Sequence, residues 1–450
     1  MEKKWEAMSP DEKQEAQFQK LLNPKDPQGN ALKFQSLKAE ADYKASITRI
    51  KDAVQLKKTP DRVPVALLPS MFPFLSAGMT VQEAMYDYDK CAAAFKKFIL
   101  ELKPDMHIGA AQAGPGKFYE ILDYKLYKWP GHGVAPEHSY QCVEEEYMKA
   151  GEYDLLITDP SFYFRNFYLP RVFGALQGFT KLPPHTGILE IYGVAFNFIP
   201  YALPPVQNTF KALFEAGAEA LKWAMVIGGL NAELATLGFP NILGGFTKAP
   251  FDTIGDTLRG TRGIIMDMYR QPDKLLRALE AMTPIMIGMG VGSAQQTGNP
   301  QIFIPLHKGA DGFLSDEQFK KFYWPTLKAV MLGLIEGGCI PFLALEGHWG
   351  SRLNIIQDIP KGKTMWMVDQ TDMAKVKETL GKNACLIGNV SSSMLKLGTP
   401  QDVRDYVKKL IDTAGKGGGF IVSNGAFFDE AKPENVKAMV DFTKEYGVYK

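Results

Sequence analysis

The sequence predicts an α/β protein of the (β/α)8 barrel type, with an N-terminal helical extension and a large insertion after the second strand. Eight short apolar runs recur along the chain, separated by connections long enough to hold helices. The runs are almost continuously apolar, which is typical of parallel strands that are covered on both faces. With 46% hydrophobic and 22% charged residues, the chain can bury a large core. Eight such strands favour a closed TIM-type barrel over an open sheet.

Each predicted strand is an apolar run that ends in a polar or glycine-containing turn. The eight runs lie at 63–69, 105–110, 241–246, 302–307, 340–346, 364–369, 384–389 and 420–425. In a barrel these turns gather at the C-terminal ends of the strands, which is where barrel enzymes place their catalytic residues. We therefore expect the functional site at that face.

Two segments fall outside the regular alternation. Residues 1–60 are polar and helical in composition, and are expected to form a helical extension to the barrel at 61–450. Residues 111–240 separate the second and third strands and are far too long for an ordinary connection. Their aromatic, glycine and proline content, as in "YKLYKWPGHGVAPEHSYQ", predicts a lid over the strand ends. Whether part of this insertion contacts a second subunit stays open.

Composition excludes several classes of partner. The 51 Lys and Arg residues balance 50 Asp and Glu residues, so no overall charge attracts nucleic acid or an anionic membrane. The charged N-terminus and the lack of eighteen uninterrupted apolar residues predict a cytoplasmic protein. The four cysteines are too widely spaced to indicate a disulfide framework or a zinc ribbon, and Cys142 is expected to be a buried thiol.

The stretch "FLALEGHWGSRL", residues 342–353, places Glu346 and His348 at the end of the fifth run. If the strand continues through residue 348, both side chains project to the same side. A carboxylate beside an imidazole is part of a metal site, an acid/base pair, or a hydrogen-bonded structural pair. The same turn supplies Trp349 and Arg352, which we assign to substrate binding.

Other strand ends supply further candidates. His307 follows the fourth run and is either a catalytic group in contact with substrate or a hydrogen-bonded structural histidine. Asp311 is either a substrate-binding carboxylate or a helix cap. Asn424 ends the last run and is assigned to substrate binding. The chain lacks the phosphate-loop, dinucleotide, GxSxG and HExxH motifs, which disfavours nucleotide-binding, hydrolase and metalloprotease functions.

Several stretches carry a family resemblance over nearly the whole length. They are "LDYKLYKWPGHGV", "FLSDEQFKKFYWPTLKAV", "LEGHWGSRL", "GNVSSSMLKLGTPQDVRDYVKKLIDTAGKGGGFIVS" and "DEAKPENVKAMVDFTKEYGVY". The chain resembles the uroporphyrinogen decarboxylase superfamily, which implies a (β/α)8 barrel and often a homodimer. The haem-pathway decarboxylases have an arginine-rich loop where this chain reads "LLPSMFPFLSAG". Haem biosynthesis is therefore not expected, and the methyltransferase branch is favoured.

Methyltransferases of this superfamily bind zinc through an HxC pair and a late cysteine. Here "GHWG" and "SNGAF" occupy those places, so Glu346 and His348 are the nearest zinc ligands and Asn424 replaces a thiolate. The resemblance implies methyl transfer from a small apolar or aromatic compound to a separate corrinoid protein, because the chain has no DxHxxG motif to bind cobalamin itself. The lid aromatics that suit such a substrate are Tyr124, Tyr127, Trp129 and Tyr140.

Two alternatives remain open from the sequence. One is a lyase that decarboxylates a non-porphyrin acid, for which Lys248, Lys308 and Arg352 are the candidate cations. The other is a non-catalytic barrel that binds a small molecule after losing its metal ligands.

Overall fold

The computed structural model describes residues 3–26 and 29–449. Its eleven strands are β1 Ala66–Leu67, β2 Met106–His107, β3 Tyr127–Pro130, β4 Gly133–Val134, β5 Gln141–Cys142, β6 Gly245–Phe246, β7 Gln301–Leu306, β8 Ile340–Leu345, β9 Met365–Val368, β10 Cys385–Val390 and β11 Phe420–Asn424. Eight of them coincide with the eight predicted runs, and β7 and β10 each extend one residue beyond their run.

Helices connect these strands and form the outer layer. The α-helices are α1 Pro10–Leu22, α2 Leu37–Gln55, α3 Phe72–Leu75, α4 Val81–Tyr86, α5 Tyr88–Leu102, α6 Gly116–Leu122, α7 Tyr153–Thr158, α8 Pro160–Tyr163, α9 Leu169–Val172, α10 Ile191–Phe198, α11 Pro204–Thr236, α12 Pro250–Asp252, α13 Gly260–Arg270, α14 Pro272–Thr297, α15 Asp316–Gln318, α16 Trp324–Glu336, α17 Leu353–Ile356, α18 Met373–Leu380, α19 Ser392–Leu397, α20 Pro400–Leu410 and α21 Pro433–Tyr446. Short 3₁₀-helices occur at Trp5–Ala7, Ala111–Ala113, Ala150–Glu152, Gly174–Lys181, His185–Gly187 and Ile199–Ala202, and π-helical turns at Phe164–Tyr168, Thr253–Leu258, Phe319–Tyr323 and Ile411–Gly415.

The main sheet is parallel, with the strand order β11-β10-β9-β8-β7-β6, and β1 pairs with β2 in a second parallel sheet. Single parallel bridges link the two sheets, between Val65 and Val422 at one edge and between His107 and Asn241 at the other. The predicted α/β class is confirmed. The hydrogen-bond ladder is not continuous at these two seams, so closure of the barrel stays a prediction.

The core divides into two layers because successive strand residues face opposite sides. In β8, Phe342 and Ala344 pack in one cluster, and Leu343 and Leu345 pack in the other against the outer helices. Helix α2 contributes Tyr43, Ile47, Ile50, Ala53 and Val54 to the Phe342 cluster. The predicted N-terminal extension is therefore helical, and its second helix is part of the core.

The segment predicted as an insertion has its own structure. It contains a small three-stranded sheet of β3, β4 and β5 and the 33-residue helix α11. Helix α10 has no buried residue, although it is strongly apolar. Contact of this segment with a second subunit stays a prediction.

Among the described residues, one helix, α14, is long and apolar enough to cross a membrane by length and composition. Its buried residues recur at helical spacing on one face, as Leu275, Ala278, Leu279, Met282 and Met286 show. That face packs on the core, and such a pattern is usual for a helix that covers a sheet.

Asn424 joins β11 to the segment that contains β1. Its Nδ2 donates to the carbonyls of Leu68 and Ala426 at 2.8 and 3.0 Å, and its Oδ1 accepts the Leu68 N–H at 3.0 Å. The Ser423 hydroxyl also lies 3.4 Å from Oδ1. The side chain is fully buried, so it replaces ladder hydrogen bonds at one seam between the two sheets.

We expect Asn424→Ala to lower the free energy of unfolding by about 2–4 kcal/mol, because buried backbone groups of Leu68 and Ala426 lose their partner. Urea unfolding followed by tryptophan fluorescence measures this change. The matched control is Asn354→Ala, which removes an exposed amide. Equal stability of the two variants would contradict the role of Asn424 at the seam.

Candidate active site

Two aspartates follow β6 on one helical segment. Asp252 ends α12 and Asp256 lies one turn later, so both side chains share a face. The Asp252 carboxylate accepts the backbone N–H groups of His307 and Lys308 at 3.1 and 2.9 Å, and the Tyr323 hydroxyl at 2.7 Å. Asp252 thereby holds the loop that follows β7 against the loop that follows β6.

Asp256 binds the side chains that Asp252 positions. Its carboxylate lies 2.6 Å from Nδ1 of His307, 2.5 Å from the Lys248 ammonium and 3.1 Å from the Lys308 ammonium. The Lys308 ammonium also donates to the Thr261 hydroxyl at 2.8 Å. One buried carboxylate is thus shared by three nitrogen groups that can each carry positive charge.

His307 lies between two carboxylates. Its Nδ1 faces Asp256, and its Nε2 is 3.6 Å from Oε2 of Glu346, directly after β8. Glu346 is the first residue after β8, and His307 is the first residue after the neighbouring strand β7. Lys248 follows β6, which is the other neighbour of β7. The His307 side chain is 38% exposed, and Nε2 is the ring nitrogen that does not bond to Asp256.

The surroundings shift the pKa values of these groups in different directions. Burial opposes protonation of His307, but the hydrogen bond to Asp256 and the charge of Glu346 outweigh it and raise the pKa above the ordinary value. Burial also opposes ionisation of Asp256, but its partners His307 and Lys248 hold the pKa well below the usual range. Burial raises the pKa of Glu346 and, with the charge of Asp256, that of Asp252.

These pKa shifts affect which side chains of the site hold a proton. A raised pKa keeps His307 protonated over a wider range, and a lowered pKa keeps Asp256 ionised. When His307 is protonated, its Nε2 carries a proton on the side of the ring away from Asp256. Such a group can donate that proton to a substrate atom that gains negative charge.

An aromatic cavity of about 220 Å³ lies within the segment between β2 and β6. We define its wall by the five lining residues Tyr119, Tyr124, Tyr127, Trp129 and Tyr140. The rings support one another: Tyr119 stacks on Tyr124 at 5.5 Å between centroids, and Tyr127 meets Tyr140 edge to face at 5.7 Å. Burial raises the pKa of Tyr119 to about 12, so its hydroxyl stays neutral.

Tyr127 and Cys142 connect the aromatic wall to the charged groups. They are opposite one another in the β3–β5 pair. Burial raises the pKa of both side chains, and the negative charge of Asp256 raises them further. Cys142 is exposed, so the prediction of a buried thiol was wrong. The charge of Asp256 therefore acts on one residue of the aromatic wall, Tyr127.

The expected pairing of Glu346 with His348 is not observed. Strand β8 ends at Leu345, and Gly347 turns the chain with a φ of +78°, so the two side chains no longer follow strand alternation. No hydrogen bond or ion pair joins them within residues 3–26 and 29–449. His348 is exposed, and its charge acts on Asp369 beyond the next strand. The imidazole beside Glu346 is His307.

Three predicted substrate-binding residues hold loops together. Arg352 is 1% exposed and bonds to Asp316 and to the carbonyls of Leu314 and Gly309. Trp349 is fully buried, and its indole N–H donates to the Glu346 carbonyl at 3.0 Å. Asp311 accepts the Ser351 hydroxyl at 2.8 Å. These contacts leave Arg352 and Trp349 without a surface for substrate.

The residues present do not fit the zinc site that the family resemblance implies. No group of three or more His, Cys, Asp or Glu side chains in the described part of the chain is arranged to hold a metal. Glu346 and His348 are separated, and Asn424 uses both of its amide atoms at the strand seam. Asn424 therefore has no polar atom left for a metal or a substrate, which corrects both expectations.

Sequence reasoning missed Asp252, Asp256 and Tyr323, and it named Lys248 only as a candidate cation for a lyase. Asp252 and Asp256 lie in the first turns after a strand, where aspartates are common because they suit a helix N-terminus. Their spacing of four residues directly after a predicted strand was the one available signal. Tyr323 follows β7 by seventeen residues, and only the fold brings its hydroxyl to Asp252.

Comparison with known proteins gives a family and a fold. The model of the uroporphyrinogen decarboxylase (URO-D) family matches residues 190–446, which is more than half of the chain. A solved methyltransferase from Methanosarcina mazei shares the fold with a TM-score of 0.57 and 16% sequence identity, over 89% of this chain and 98% of that chain. No curated protein matches the sequence.

The His307 arrangement predicts a titration that NMR of the imidazole can follow. We expect the wild-type midpoint to lie above about 6.5. In Asp256→Asn the midpoint should be lower, because burial lowers the His307 pKa and the carboxylate that raises it is gone. Because the folded pKa is raised, protonated His307 stabilises the fold below about pH 6.5, and this contribution disappears as pH rises through the folded pKa.

His307→Gln assigns the signal, and Asp405→Asn, the same change at an exposed position, is the control. A midpoint that is equal in the wild type and in Asp256→Asn would refute this electrostatic account.

Proposed function

Because the chain belongs to the uroporphyrinogen decarboxylase family, as its sequence motifs indicated, we propose that it is a methyltransferase that demethylates a small aromatic methyl ether. The observation that carries this proposal is His307, held between Asp256 and Glu346, together with an aromatic cavity whose Tyr127 is acted on by the charge of Asp256. The fold shared with a methyltransferase supports the reaction class. A separate corrinoid protein as acceptor, a homodimer and a cytoplasmic location remain parts of the proposal.

The cavity suits one aromatic ring. Its volume of about 220 Å³ lies below the range of roughly 300–1,000 Å³ that is usual for drug-sized ligands. The tyrosine rings offer faces and edges for stacking, and aromatic pairs prefer such offset or edge-to-face contacts. No charged residue is among the five that define the wall, so binding of the ring does not require a charged substituent.

Transfer of a methyl group from an ether breaks the bond between the methyl carbon and the oxygen. The bonding electron pair stays on oxygen, which becomes an alkoxide or phenoxide unless it receives a proton. The imidazolium of His307 can supply that proton from Nε2, and Asp256 stabilises the cation until the proton leaves. A reduced corrinoid on a partner protein would supply the electron pair that forms the new bond to methyl.

A proton donor at His307 favours oxygen over quaternary nitrogen as the atom that carries the methyl group. A quaternary ammonium loses methyl to give a neutral amine, which needs no proton at that step. An ether gives an anion, whose formation is eased by a nearby acid. Glu346 lies on the other side of His307, 3.6 Å from Nε2, and burial raises the Glu346 pKa above its ordinary value.

The contacts give the two alternatives less support. Decarboxylation of an acid would use a cation to bind the carboxylate, but Lys248 and Lys308 are paired with Asp256, and Arg352 is paired with Asp316. A purely binding protein has no need for a histidine held between two carboxylates.

The proposal predicts turnover of methoxybenzenes such as 2-methoxyphenol with free cob(I)alamin, measured by the absorbance change on methylation and by release of the phenol. We expect His307→Gln to reduce the rate by roughly a hundredfold, the usual scale for loss of a general acid. Thermal unfolding should change little, because His307 lies at a strand end and is partly exposed.

Lys409→Ala, at an exposed position on α20, is the control for handling and assay conditions. Failure of the wild type to demethylate any methoxybenzene would contradict the proposed substrate class. Full activity of His307→Gln would contradict its role as the acid.

A further inference from the structure

A second cleft lies at the opposite end of the strands from His307. We call it the basal cleft, and its volume is about 510 Å³. It is lined by Lys20, Leu21, Asn23, Pro24, Lys25, Tyr43, Asn231, Ala235, Asn241, Leu243, Thr297, Gly298 and Asn299. Unlike the aromatic cavity, this lining includes four asparagine amides and two lysine ammonium groups.

Its position separates the basal cleft from the candidate active site. Asn241 and Asn299 precede β6 and β7, so they lie at the N-terminal ends of strands whose C-terminal ends carry Lys248 and His307. The other walls come from α1, the loop after α1, the start of α2 and the last turns of α11 and α14. A ligand here would contact four helices and no residue of the acid site.

Two amides converge in the cleft with unused hydrogen-bonding atoms. Oδ1 of Asn231 is a buried atom without a partner among the residues that the structure describes. Gly109 has a φ of +75°, and a Cβ at that position would lie 3.0 Å from Asn231 Oδ1 and 3.2 Å from Asn241 Nδ2. The Asn241 Oδ1 accepts the Leu243 N–H at 2.7 Å, which directs its Nδ2 as the free donor. An unpaired buried carbonyl is costly, and a ligand hydroxyl would satisfy it.

The charge of the cleft is positive. Lys20 and Lys25 line it, no Asp or Glu does, and neither lysine forms an ion pair within the described ranges. Burial raises the pKa of Tyr43 to about 12, so its hydroxyl stays a neutral donor. The cleft thus offers two cations for an anion, and amide and hydroxyl groups for a polar body.

We propose that the basal cleft binds a sugar phosphate or a similar hydroxylated phosphate monoester. The phosphate dianion would pair with Lys20 and Lys25, and the hydroxyl groups would exchange hydrogen bonds with Asn231 and Asn241. A volume of about 510 Å³ is within the range of roughly 300–1,000 Å³ for small-molecule sites and leaves room beyond a phosphate group.

Such a ligand would couple the N-terminal helices to the rest of the fold. It would bridge the loop after α1 to α11 and to the end of α14. A ligand that binds only the folded state stabilises it by mass action. Thermal unfolding of the full chain should therefore shift upwards when the ligand is present.

Isothermal titration calorimetry of the full chain with glucose 6-phosphate, ribose 5-phosphate and glycerol 3-phosphate tests this proposal. We expect at least one of them to bind with one-to-one stoichiometry. Its affinity should be at least about tenfold above that for glucose or inorganic phosphate alone, because the cleft binds both the phosphate and the hydroxyl groups. Lys25→Ala and Asn231→Ala should each weaken binding by about tenfold, and the exposed Lys409→Ala should leave it unchanged.

Three outcomes would overturn the proposal. They are the absence of saturable binding by all three phosphate esters, equal affinity for inorganic phosphate, and binding that neither Lys25→Ala nor Asn231→Ala weakens. Both variants change residues that are at least partly exposed, and thermal unfolding without ligand checks their folding. Methyl transfer is not read in this experiment, so its result is independent of the proposed reaction.

Discussion

The contact between Asp256 and His307 is the interaction on which the candidate site depends. Asp252, one turn earlier, holds the backbone of the β7 loop, and Asp256 then holds the imidazole. Both carboxylates sit on one helical segment after β6, so the geometry of two strand ends is set by a single rigid element. Because Asp256 is the common partner of His307, Lys248 and Lys308, its removal would leave these groups without their shared counter-charge.

The aromatic wall and the charged cluster act on each other. Asp256 and Tyr127 are both partly buried, and charges interact more strongly where water is excluded. The Asp256 charge in turn raises the pKa of Tyr127, which keeps that phenol neutral. A substrate ring against this wall would present its ether oxygen towards the charged side. Binding and proton transfer would then use adjacent but chemically distinct surfaces.

The fold was more predictable from sequence than the site. Continuous apolar runs located all eight parallel strands, and strand ends correctly brought His307 and Glu346 to one face. The predicted pairing of Glu346 with His348 was wrong because it assumed that the strand continues through residue 348, whereas Gly347 turns the chain. The sequence indicated that the side chains of Arg352 and Asn424 could bind substrate. Both instead form hydrogen bonds with residues distant in sequence, which no local pattern reveals. Asp252 and Asp256 resembled ordinary first-turn aspartates, since only the fold shows what they bind.

The central claim is that His307 protonates the leaving oxygen, and the dependence of rate on the leaving group tests it most directly. Single-turnover demethylation rates of substituted methoxybenzenes would be plotted against the pKa of the phenol released, for the wild type and for His307→Gln. Protonation by His307 predicts a shallow dependence in the wild type and a steep one in the variant, because an unassisted phenoxide must carry the full charge. Equal slopes for the two proteins would contradict the account.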